Sequence, residues 1–486
     1  MSDELARLDA TAQAEWVRAR KISPVELVEA AIDRLERLNP SLNAVIHPAL
    51  EAAREQARSR ELADGPFRGV PFLMKDIGGE EAGRPLHAGL ACAKRAGYRA
   101  PADSWFTERI RASGLISLGR TNTPELALLP TSEPEAYGAT RNPWNTEHSS
   151  GGSSGGASAA VAAGIVPAAH ASDGGGSIRG PASMCSLVGL KPSRGRCSFG
   201  PSVGERWSGF SCEFVLSRSV RDSAALLDVV AGPMPGDPYF APPPAEPFAT
   251  ALRDARTPLR IGLMTSAPRG ITVHADNAAA VERCGRRLEA LGHHVEIAHP
   301  DALDDPATVA HYVTVVGSNV ARALESWGEK LGAPIGEGDV EPLTWELGRR
   351  GAEISAPRLL ASLEFVHRFG RRLAEWWQGG FDLLLTPTQA APPVRLGALG
   401  STREQPLRGF LLSAPYGVFT LPFNLSGQPA ISLPGGFTEG DDVWPRGLPL
   451  GVQIVAPYGA ERLLLRVAGE LEEAAPWADS LPPNFG

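Results

Sequence analysis

Two glycine–serine segments and one lysine are the parts of this sequence best suited to carry chemistry. The first segment, "EHSSGGSSGGASAAVAAG", spans residues 147–164, and the second, "HASDGGGSIRGPAS", spans residues 170–183. Consecutive glycines let backbone N–H groups turn toward one point, where they can hold a developing negative charge. Ser177 follows three glycines and is therefore a candidate nucleophile beside an oxyanion hole. Its alternative role is to cap a following helix, which serines do equally often.

A serine nucleophile needs a base, and no histidine is an obvious local partner of Ser177. A lysine can serve if burial keeps it neutral, because its reference pKa is about 10.4. Lys75 ends the apolar run "GVPFLM" and is the lysine best placed for burial. Taken alone, Lys75 is more simply a surface lysine just past a strand, so both interpretations stay open.

The glycine-rich segments also allow other interpretations. A flexible linker is one, and a phosphate-binding loop is another, although neither segment has the Gly-Lys-[Ser/Thr] that such a loop needs. Residues 152–156 match G-x-S-x-G, which would make Ser154 a nucleophile on a strand-to-helix turn. That motif needs a strand directly before it and an Asp then a His after it. The preceding "RNPWNTEHSS" is a poor strand, so we discount this interpretation.

Composition limits the class of protein. The chain has 486 residues, of which 43% are hydrophobic and 21% charged, as in a packed globular protein. The net charge is −8 and Lys and Arg form no dense run, which argues against nucleic-acid binding. No apolar run reaches membrane-spanning length and the N-terminus is acidic, so we expect no membrane partner and a cytoplasmic location. Five scattered cysteines and no H-E-x-x-H motif indicate neither a disulfide framework nor a metal site.

Strand and helix patterns alternate along the chain. "SPVELVEAAIDRLERLNP" predicts a helix that Ser23 and Glu26 cap and that Asn39-Pro40 ends. "GVPFLMKDIGG" predicts a buried strand, and beyond residue 259 "LRIGLMTS", "HHVEIAHP", "FDLLLTPT", "PAISLPGG" and "LPLGVQIVAP" predict further strands between helices. The pattern predicts an α/β fold, a single large domain whose mixed β-sheet has helices on both sides.

Three motifs in order resemble the amidase signature family: "VPFLMKD", "GGSSGGASAAVAAG" and "SDGGGSIRGPASMCSLVGLKPS". The resemblance implies hydrolysis of a carboxylic amide through an acyl-enzyme, with Lys75 as base, Ser153 as proton relay and Ser177 as nucleophile. It also implies a cis peptide bond between Gly152 and Ser153, and it requires no metal or organic cofactor.

The same resemblance assigns supporting roles and boundaries. The remaining site residues that it implies are the oxyanion-hole N–H groups of Gly174, Gly175, Gly176 and Ser177, with Asp173, Arg179 and Ser154 holding the loops behind them. We expect one amidase domain over residues 1–486, with an N-terminal helical segment (1–66), a catalytic region (67–200) and the rest of the sheet and the substrate pocket (201–486).

Within the family, "DATAQAEWVRARKIS", "EPEAYGATRNPWN" and "LPFNLSGQP" resemble the 6-aminohexanoate cyclic dimer hydrolases. This implies a cyclic or linear 6-aminohexanoate oligomer or a related amide as substrate, with side activity on esters or carbamates. Three positions depart from the pattern. Val316 stands where those hydrolases have a cysteine. Gly174 and Gly180 replace larger residues near the nucleophile, so the shape of the pocket and the substrate are expected to differ.

Two alternative functions remain at this point. A glutamyl-tRNA amidotransferase A-type subunit shares these motifs but delivers ammonia within a complex, and the lack of a basic stripe weighs mildly against it. The other alternative is a catalytically silent binding protein of the same fold. We expect a small-molecule amide as the partner, no nucleic acid, and a homodimer as the candidate assembly.

Overall fold

The protein is described here by a computed structural model, which covers residues 2–483 and 485. The strands, in chain order, are β1 (Val45–Pro48), β2 (Pro71–Lys75), β3 (Ile116–Thr121), β4 (Arg141–Asn142), β5 (Asn145–Ser149), β6 (Ala168–Asp173), β7 (Val188–Lys191), β8 (Cys212–Ser217), β9 (Arg260–Leu263), β10 (His294–Ile297), β11 (Leu383–Pro387), β12 (Ala430–Phe437) and β13 (Pro449–Val455).

The α-helices are α1 (Ser2–Arg7), α2 (Ala10–Arg18), α3 (Pro24–Leu42), α4 (Leu50–Arg58), α5 (Ala91–Ala96), α6 (Trp105–Ala112), α7 (Gly155–Ala162), α8 (Arg179–Cys185), α9 (Val220–Val230), α10 (Ala275–Ala290), α11 (Thr308–Leu331), α12 (Pro342–Ala352), α13 (Ala356–Gln378), α14 (Arg408–Leu412), α15 (Ala414–Gly417), α16 (Leu421–Ser426) and α17 (Glu461–Ala474).

One large sheet organises the chain. Within the described residues it contains 11 strands in the order β1-β3-β2-β6-β8-β7-β12-β13-β11-β9-β10. Strand β2 runs parallel to β3 and β6, and β9 runs parallel to β10 and β11. The other neighbours pair antiparallel, so the sheet is mixed, as the sequence predicts.

Helices cover both faces of the sheet. Successive strand residues point to opposite faces, and accordingly Leu383 and Leu385 of β11 pack in one apolar cluster whereas Leu384 packs in the other. Helices α3, α9 and α17 contribute to the first cluster, and α11, α12 and α13 contribute to the second. The predicted fold class, a single domain with helices on both sides of a mixed sheet, is confirmed.

Helix α3 differs from the prediction at its end. The capping box of Ser23 and Glu26 is present, but the helix runs through Pro40 and ends at Leu42. The amide of Asn43 closes the last turn on the carbonyl oxygen of Asn39 at 2.8 Å. The Asn39 side-chain oxygen then accepts the amides of Ala44 and Val45, which turns the chain into β1. The prediction that Asn39-Pro40 ends the helix was therefore wrong by one half-turn.

The stretch "RNPWNTEHSS" also differs from the prediction, because it forms the hairpin β4–β5. Side-chain hydrogen bonds, rather than an alternation of buried and exposed residues, stabilise this hairpin. Asn142 donates from Nδ2 to the carbonyl oxygen of Ser149 at 3.0 Å and accepts the amide of Trp144 at 3.0 Å. A strand therefore does precede the glycines of the first glycine–serine segment.

Among the helices of the described part of the chain, none is both long enough and apolar enough to pass through a membrane. The same residues contain no cluster of three His, Cys, Asp or Glu side chains placed to hold a metal ion.

Candidate active site

Lys75 lies at the carboxyl end of β2, which is buried along its whole length between β3 and β6. Its side chain is 0% exposed. The Nζ atom lies within hydrogen-bond distance of three hydroxyl oxygens, at 2.7 Å from Ser153 Oγ, 2.9 Å from Ser154 Oγ and 3.0 Å from Ser172 Oγ. The interpretation of Lys75 as a surface lysine is therefore wrong, and the interpretation as a buried amine is confirmed.

Burial changes the proton affinity of Lys75. Loss of water around Nζ lowers its pKa from 10.5 to about 7, although the carboxylates of Asp173 and Glu213 act to raise it. A lysine with such a pKa is partly neutral at pH 7, and a neutral amine can accept a proton from a neighbouring hydroxyl group. The site thus contains a base of suitable strength.

The first glycine–serine segment presents Ser153 and Ser154 to this amine. The Gly152–Ser153 peptide bond is cis, as the resemblance implied. Ser132 holds the segment, because its hydroxyl group lies 3.1 Å from the Gly151 carbonyl oxygen and accepts the Gly155 amide at 3.1 Å. Nothing in the sequence around Ser132 signals this role, and we did not predict it.

The hydroxyl group of Ser154 makes three hydrogen bonds. Its Oγ accepts hydrogen bonds from Lys75 Nζ and from the Ser172 amide at 3.4 Å, and it donates to the Ser172 carbonyl oxygen at 3.3 Å. A hydroxyl with these partners is not free to attack a substrate. The absence of a preceding strand is not a valid argument against the G-x-S-x-G interpretation, because hairpin β4–β5 lies before residues 152–156. The hydrogen bonds of Ser154 are the better argument against it.

The second segment is anchored by a buried ion pair. Arg179 donates from Nε to Asp173 Oδ2 at 3.0 Å and from Nη2 to Oδ1 at 2.9 Å, and both side chains are fully buried. Burial acts to raise the pKa of Asp173, but the Arg179 guanidinium holds it well below its usual range. The remaining guanidinium contacts of Arg179 are Thr420 O, Asn424 Oδ1 and Gln453 Oε1. Both residues therefore hold the loop, in the supporting roles expected for them.

Three of the four predicted oxyanion-hole donors are free. Within the residues described, the amides of Gly174, Gly175 and Ser177 have no hydrogen-bond partner. The amide of Gly176 instead donates to Asp173 Oδ1 at 2.8 Å, which removes Gly176 from the predicted set.

Ser177 precedes helix α8 without capping it. The N-cap residue of α8 is Ile178, and the side chain that accepts amides at that end is Asp173, whose Oδ2 accepts those of Ile178 at 3.1 Å and Arg179 at 3.4 Å. The hydroxyl group of Ser177 has no hydrogen-bond partner in residues 2–483 or 485. The helix-cap interpretation of Ser177 is therefore wrong, and a free hydroxyl group remains beside the three free amides.

A cavity of about 310 Å³ joins these groups. Ser153, Ser172 and Ser177 line it together with Gly174 and Gly175. Most of the remaining wall is apolar and comes from distant parts of the chain, including Leu128, Val309, Tyr312, Phe410, Val418 and Leu421. The cavity thus brings the hydroxyl groups of Ser153 and Ser177 and free N–H donors against an apolar chamber.

The three positions that depart from the family pattern differ in whether they line the cavity. Gly174 borders the cavity, where an added Cβ would lie at 3.5 Å from the Trp207 ring. Gly180 does not line the cavity, and its Cβ would lie 2.8 Å from Gln389 Nε2. Val316 is buried in the second apolar cluster one turn beyond Tyr312, away from the lining. The expectation of a changed pocket therefore stays a prediction for Gly174 and is corrected for Gly180, which does not line the cavity.

Sequence comparison places these residues in a known class. The Amidase family matches residues 26–465, so the chain belongs to this family. Lys75, Ser153 and Ser177 all lie within the matched range. The chain is thus an amidase signature enzyme.

Particular relatives narrow the class. The chain is 45% identical over 482 residues to the 6-aminohexanoate-cyclic-dimer hydrolase of Pseudomonas sp. (strain NK87), over 98% of this chain and 96% of that protein. A solved 6-aminohexanoate cyclic dimer hydrolase complexed with substrate superposes with a TM-score of 0.95 at 42% identity, covering 99% of this chain and 100% of the other. A bacterial aryl acylamidase of the amidase signature family superposes with a TM-score of 0.85 at 30% identity, covering 97% of each chain.

Proposed function

We propose that this enzyme hydrolyses a carboxylic amide through Lys75, Ser153 and Ser177 by way of an acyl-enzyme. The observation that carries the proposal is the contact of 2.7 Å between Lys75 Nζ and Ser153 Oγ, in a cavity that Ser177 also lines. An amine with a pKa of about 7 is a base of the right strength for this chemistry.

The proposed first stage forms the acyl-enzyme. Neutral Lys75 accepts a proton from Ser153 Oγ, and Ser153 accepts the proton of Ser177 Oγ. The Ser177 oxygen then bonds to the substrate carbonyl carbon. The amides of Gly174, Gly175 and Ser177 stabilise the negative oxygen of the tetrahedral intermediate. The relay returns the proton to the leaving nitrogen as the C–N bond breaks.

The proposed second stage releases the acid. Water gives a proton to the same relay and adds to the acyl ester, and the Ser177 oxygen leaves with a proton returned from Ser153. The products are an amine and a carboxylic acid, so atoms and charge balance without a further reactant. Each of the two stages uses the Lys75 amine once as base and once as acid.

For the substrate we propose a cyclic or linear 6-aminohexanoate oligomer or a related amide, with esters or carbamates as side substrates. Two things support this choice. The relatives at 45% and 42% identity are named for the cyclic dimer of 6-aminohexanoate. The cavity wall is mainly apolar, which suits the methylene chains of such a substrate.

We further propose that residues 1–486 work as one amidase domain, with segment 67–200 supplying the catalytic groups and segment 201–486 the pocket. The predicted homodimer and cytoplasmic location remain predictions. Sedimentation at several protein concentrations tests the assembly, and cell fractionation tests the location.

The deciding experiment is a panel of amides with purified enzyme, including the cyclic dimer and the linear dimer and trimer of 6-aminohexanoate, anilides and matched esters. We expect release of amine from at least one amide, together with covalent labelling of Ser177 by a fluorophosphonate. Ammonia release from glutamine that depends on partner subunits would instead support the amidotransferase alternative. No turnover and no labelling would support the silent binding protein.

A further inference from the structure

Glu213 is a buried carboxyl group near Lys75 that the proposed mechanism does not use. It lies on β8, is 2% exposed and lines the catalytic cavity. In the antiparallel pair β6–β8, Glu213 stands directly opposite Ser172. Directly opposite residues point to the same face of a sheet, with their Cβ atoms about 5 Å apart. Glu213 therefore adjoins the serine that contacts the Lys75 amine.

Ser172 is adjacent to both Lys75 and Glu213. Its Oγ accepts a hydrogen bond from Lys75 Nζ at 3.0 Å. The loop after β2 covers the other side of Glu213 so closely that a Cβ on Gly78 would lie 2.0 Å from Glu213 Oε1. The carboxyl group is thus confined between this loop and the lysine site, with little room to turn away.

The other acid beside Lys75 is already neutralised. Asp173 forms a two-point ion pair with Arg179, whereas Glu213 has no Lys or Arg nitrogen within ion-pair distance in the described part of the chain. The basic nitrogen nearest to Glu213 is His170 Nε2, at 4.0 Å. Since His170 Nδ1 accepts the Lys75 amide, a neutral His170 carries its hydrogen on Nε2 and adds no charge. Glu213 is therefore the acid beside Lys75 that has no direct ion-pair partner in the described residues, although Arg206, Arg120 and the Gly79 amide act to lower its pKa.

More distant charges surround the pair. The titratable and charged groups facing it are Lys75 of β2, Arg120 of β3, His170 and Asp173 of β6, and Arg206 and Glu80 of the loops. Arg206 pairs with Glu80, and Arg120 pairs with Glu81 and donates to the carbonyl oxygens of the covering loop. These cations therefore have partners of their own.

We propose that Glu213 is a positioning residue for the base: its carboxylate stabilises protonated Lys75 and so sets the pH at which Lys75 becomes free to accept a proton. The inference rests on the proposed role of Lys75. Burial raises the pKa of Glu213 to about 7, close to that of Lys75, so the two groups share protons over the same pH range.

The test is the pH dependence of kcat/KM for amide hydrolysis by Glu213→Gln. Glutamine keeps the shape of the side chain and removes the charge, so Lys75 should lose its proton at lower pH. We expect the acidic limb of the profile to move down by about one pH unit, the lower end of the effect of a nearby opposite charge. The rate on the alkaline plateau should stay within about threefold of the wild type.

Glu470→Gln is the matched control. Glu470 is also a buried glutamate, but it contacts His293 rather than any residue of the cavity. Its profile should superimpose on that of the wild type. Glu213→Asp provides a second test, since it withdraws the carboxylate by one methylene group and should give a smaller shift in the same direction.

An acidic limb that is unchanged or moves upward in folded Glu213→Gln would overturn the inference. Failure of both Glu213 variants to fold would also overturn it, because the residue would then act through stability. The proposed function is tested separately with Lys75→Arg. Near wild-type hydrolysis by that variant would reject Lys75 as the base, whatever the Glu213 profiles show.

Discussion

In segment 151–156 every glycine is packed too closely against its neighbours to carry a side chain, whereas in segment 174–176 all three glycines border the cavity and Gly174 has room for a Cβ. An added Cβ on Gly152 would lie 2.4 Å from the Thr131 amide nitrogen, and one on Gly156 would lie 2.4 Å from that of Asn122. An added Cβ on Gly174 would meet nothing closer than the Trp207 ring at 3.5 Å. Glycine thus permits close packing in the first segment and leaves N–H groups open in the second.

The difference separates two tasks that look the same in sequence. The first segment fixes the hydroxyl groups that Lys75 contacts, and its precision comes from contacts too short for any side chain. The second segment keeps Ser177 and two adjacent glycine amides without partners, and its rigidity comes from Asp173 and Arg179 behind it. Substitutions in the two segments should therefore damage different properties.

The largest effect is expected in the second segment. Ser177→Ala removes the attacking oxygen while leaving the Asp173–Arg179 anchor intact, so kcat should fall by about 10⁴-fold or more. Fluorophosphonate labelling should disappear, and the thermal midpoint should stay close to that of the wild type. Substantial turnover by the folded variant would contradict the assignment and return attention to Ser153.

Lys75 contacts serines of both segments, and its substitution should give the next largest loss of activity. Lys75→Ala should remove amide hydrolysis almost completely, while an activated ester, whose leaving group needs no returned proton, keeps part of its rate. Lys75→Arg should not restore activity, because arginine stays protonated. In the wild type, protonation of an amine with a pKa of about 7 should lower kcat/KM about tenfold for each pH unit below that value. A flat profile between pH 5 and 7 would count against Lys75 as the base.

Gly156→Ala should chiefly lower stability rather than alter the chemistry. The added methyl group would overlap the Asn122 backbone and the Ala44 carbonyl oxygen, at 2.5 Å from the latter. We expect a loss of about 2–3 kcal/mol in the free energy of unfolding, measured by urea denaturation. Gly174→Ala is the matched control and should change stability by less than about 0.5 kcal/mol. Equal losses in both variants would remove the contrast between the segments.

Alanine variants of Ser153 and Ser154 test whether the two serines of the first segment have different roles. Ser154→Ala removes one hydrogen bond to Lys75 but leaves the relay, so kcat should fall by only about tenfold. Ser153→Ala breaks the relay and should cost far more in the same assay. The reverse order of the two rates is what a nucleophile at Ser154 would produce.

The smallest change in activity is expected from a substitution of Gly174, which borders the cavity. Gly174→Ala places a methyl group under Trp207 and narrows the chamber without closing it. KM for the bulkiest accepted amide should rise by a few fold, with kcat little changed, since the contact is made equally in the ground state and the transition state. A large fall in kcat instead would mean that the Gly174 amide had moved.

Much of this architecture is visible in the sequence because local patterns encode it. The apolar run before Lys75 predicts a buried strand, and the capping pattern at Ser23 and Glu26 predicts the start of α3, where the structure places both. The prediction that the helix ends at Asn39-Pro40 was wrong because the Asn39 side chain supports the turn that follows the helix.

The parts that the sequence did not reveal depend on contacts between distant segments. Ser172 and Glu213 meet at the site only because β6 pairs with β8. Ser172 begins one of the three motifs, but Glu213 lies outside all of them. The alternation of His170 and Ser172 along β6 would have placed both on one face of the sheet, but not beside Lys75. The orientation of the Gly176 amide likewise depends on a carboxylate whose position is set by Arg179.

The anchoring of Arg179 on Thr420, Asn424 and Gln453 bears on how the enzyme is made. During translation Lys75, Ser153 and Ser177 leave the ribosome well before the residues that hold the loop around Ser177. A chain that ends before β13 contains all three residues, yet its Arg179 lacks the Gln453 contact. The order of the segment that carries Ser177 therefore depends on residues that are synthesised more than 240 positions later.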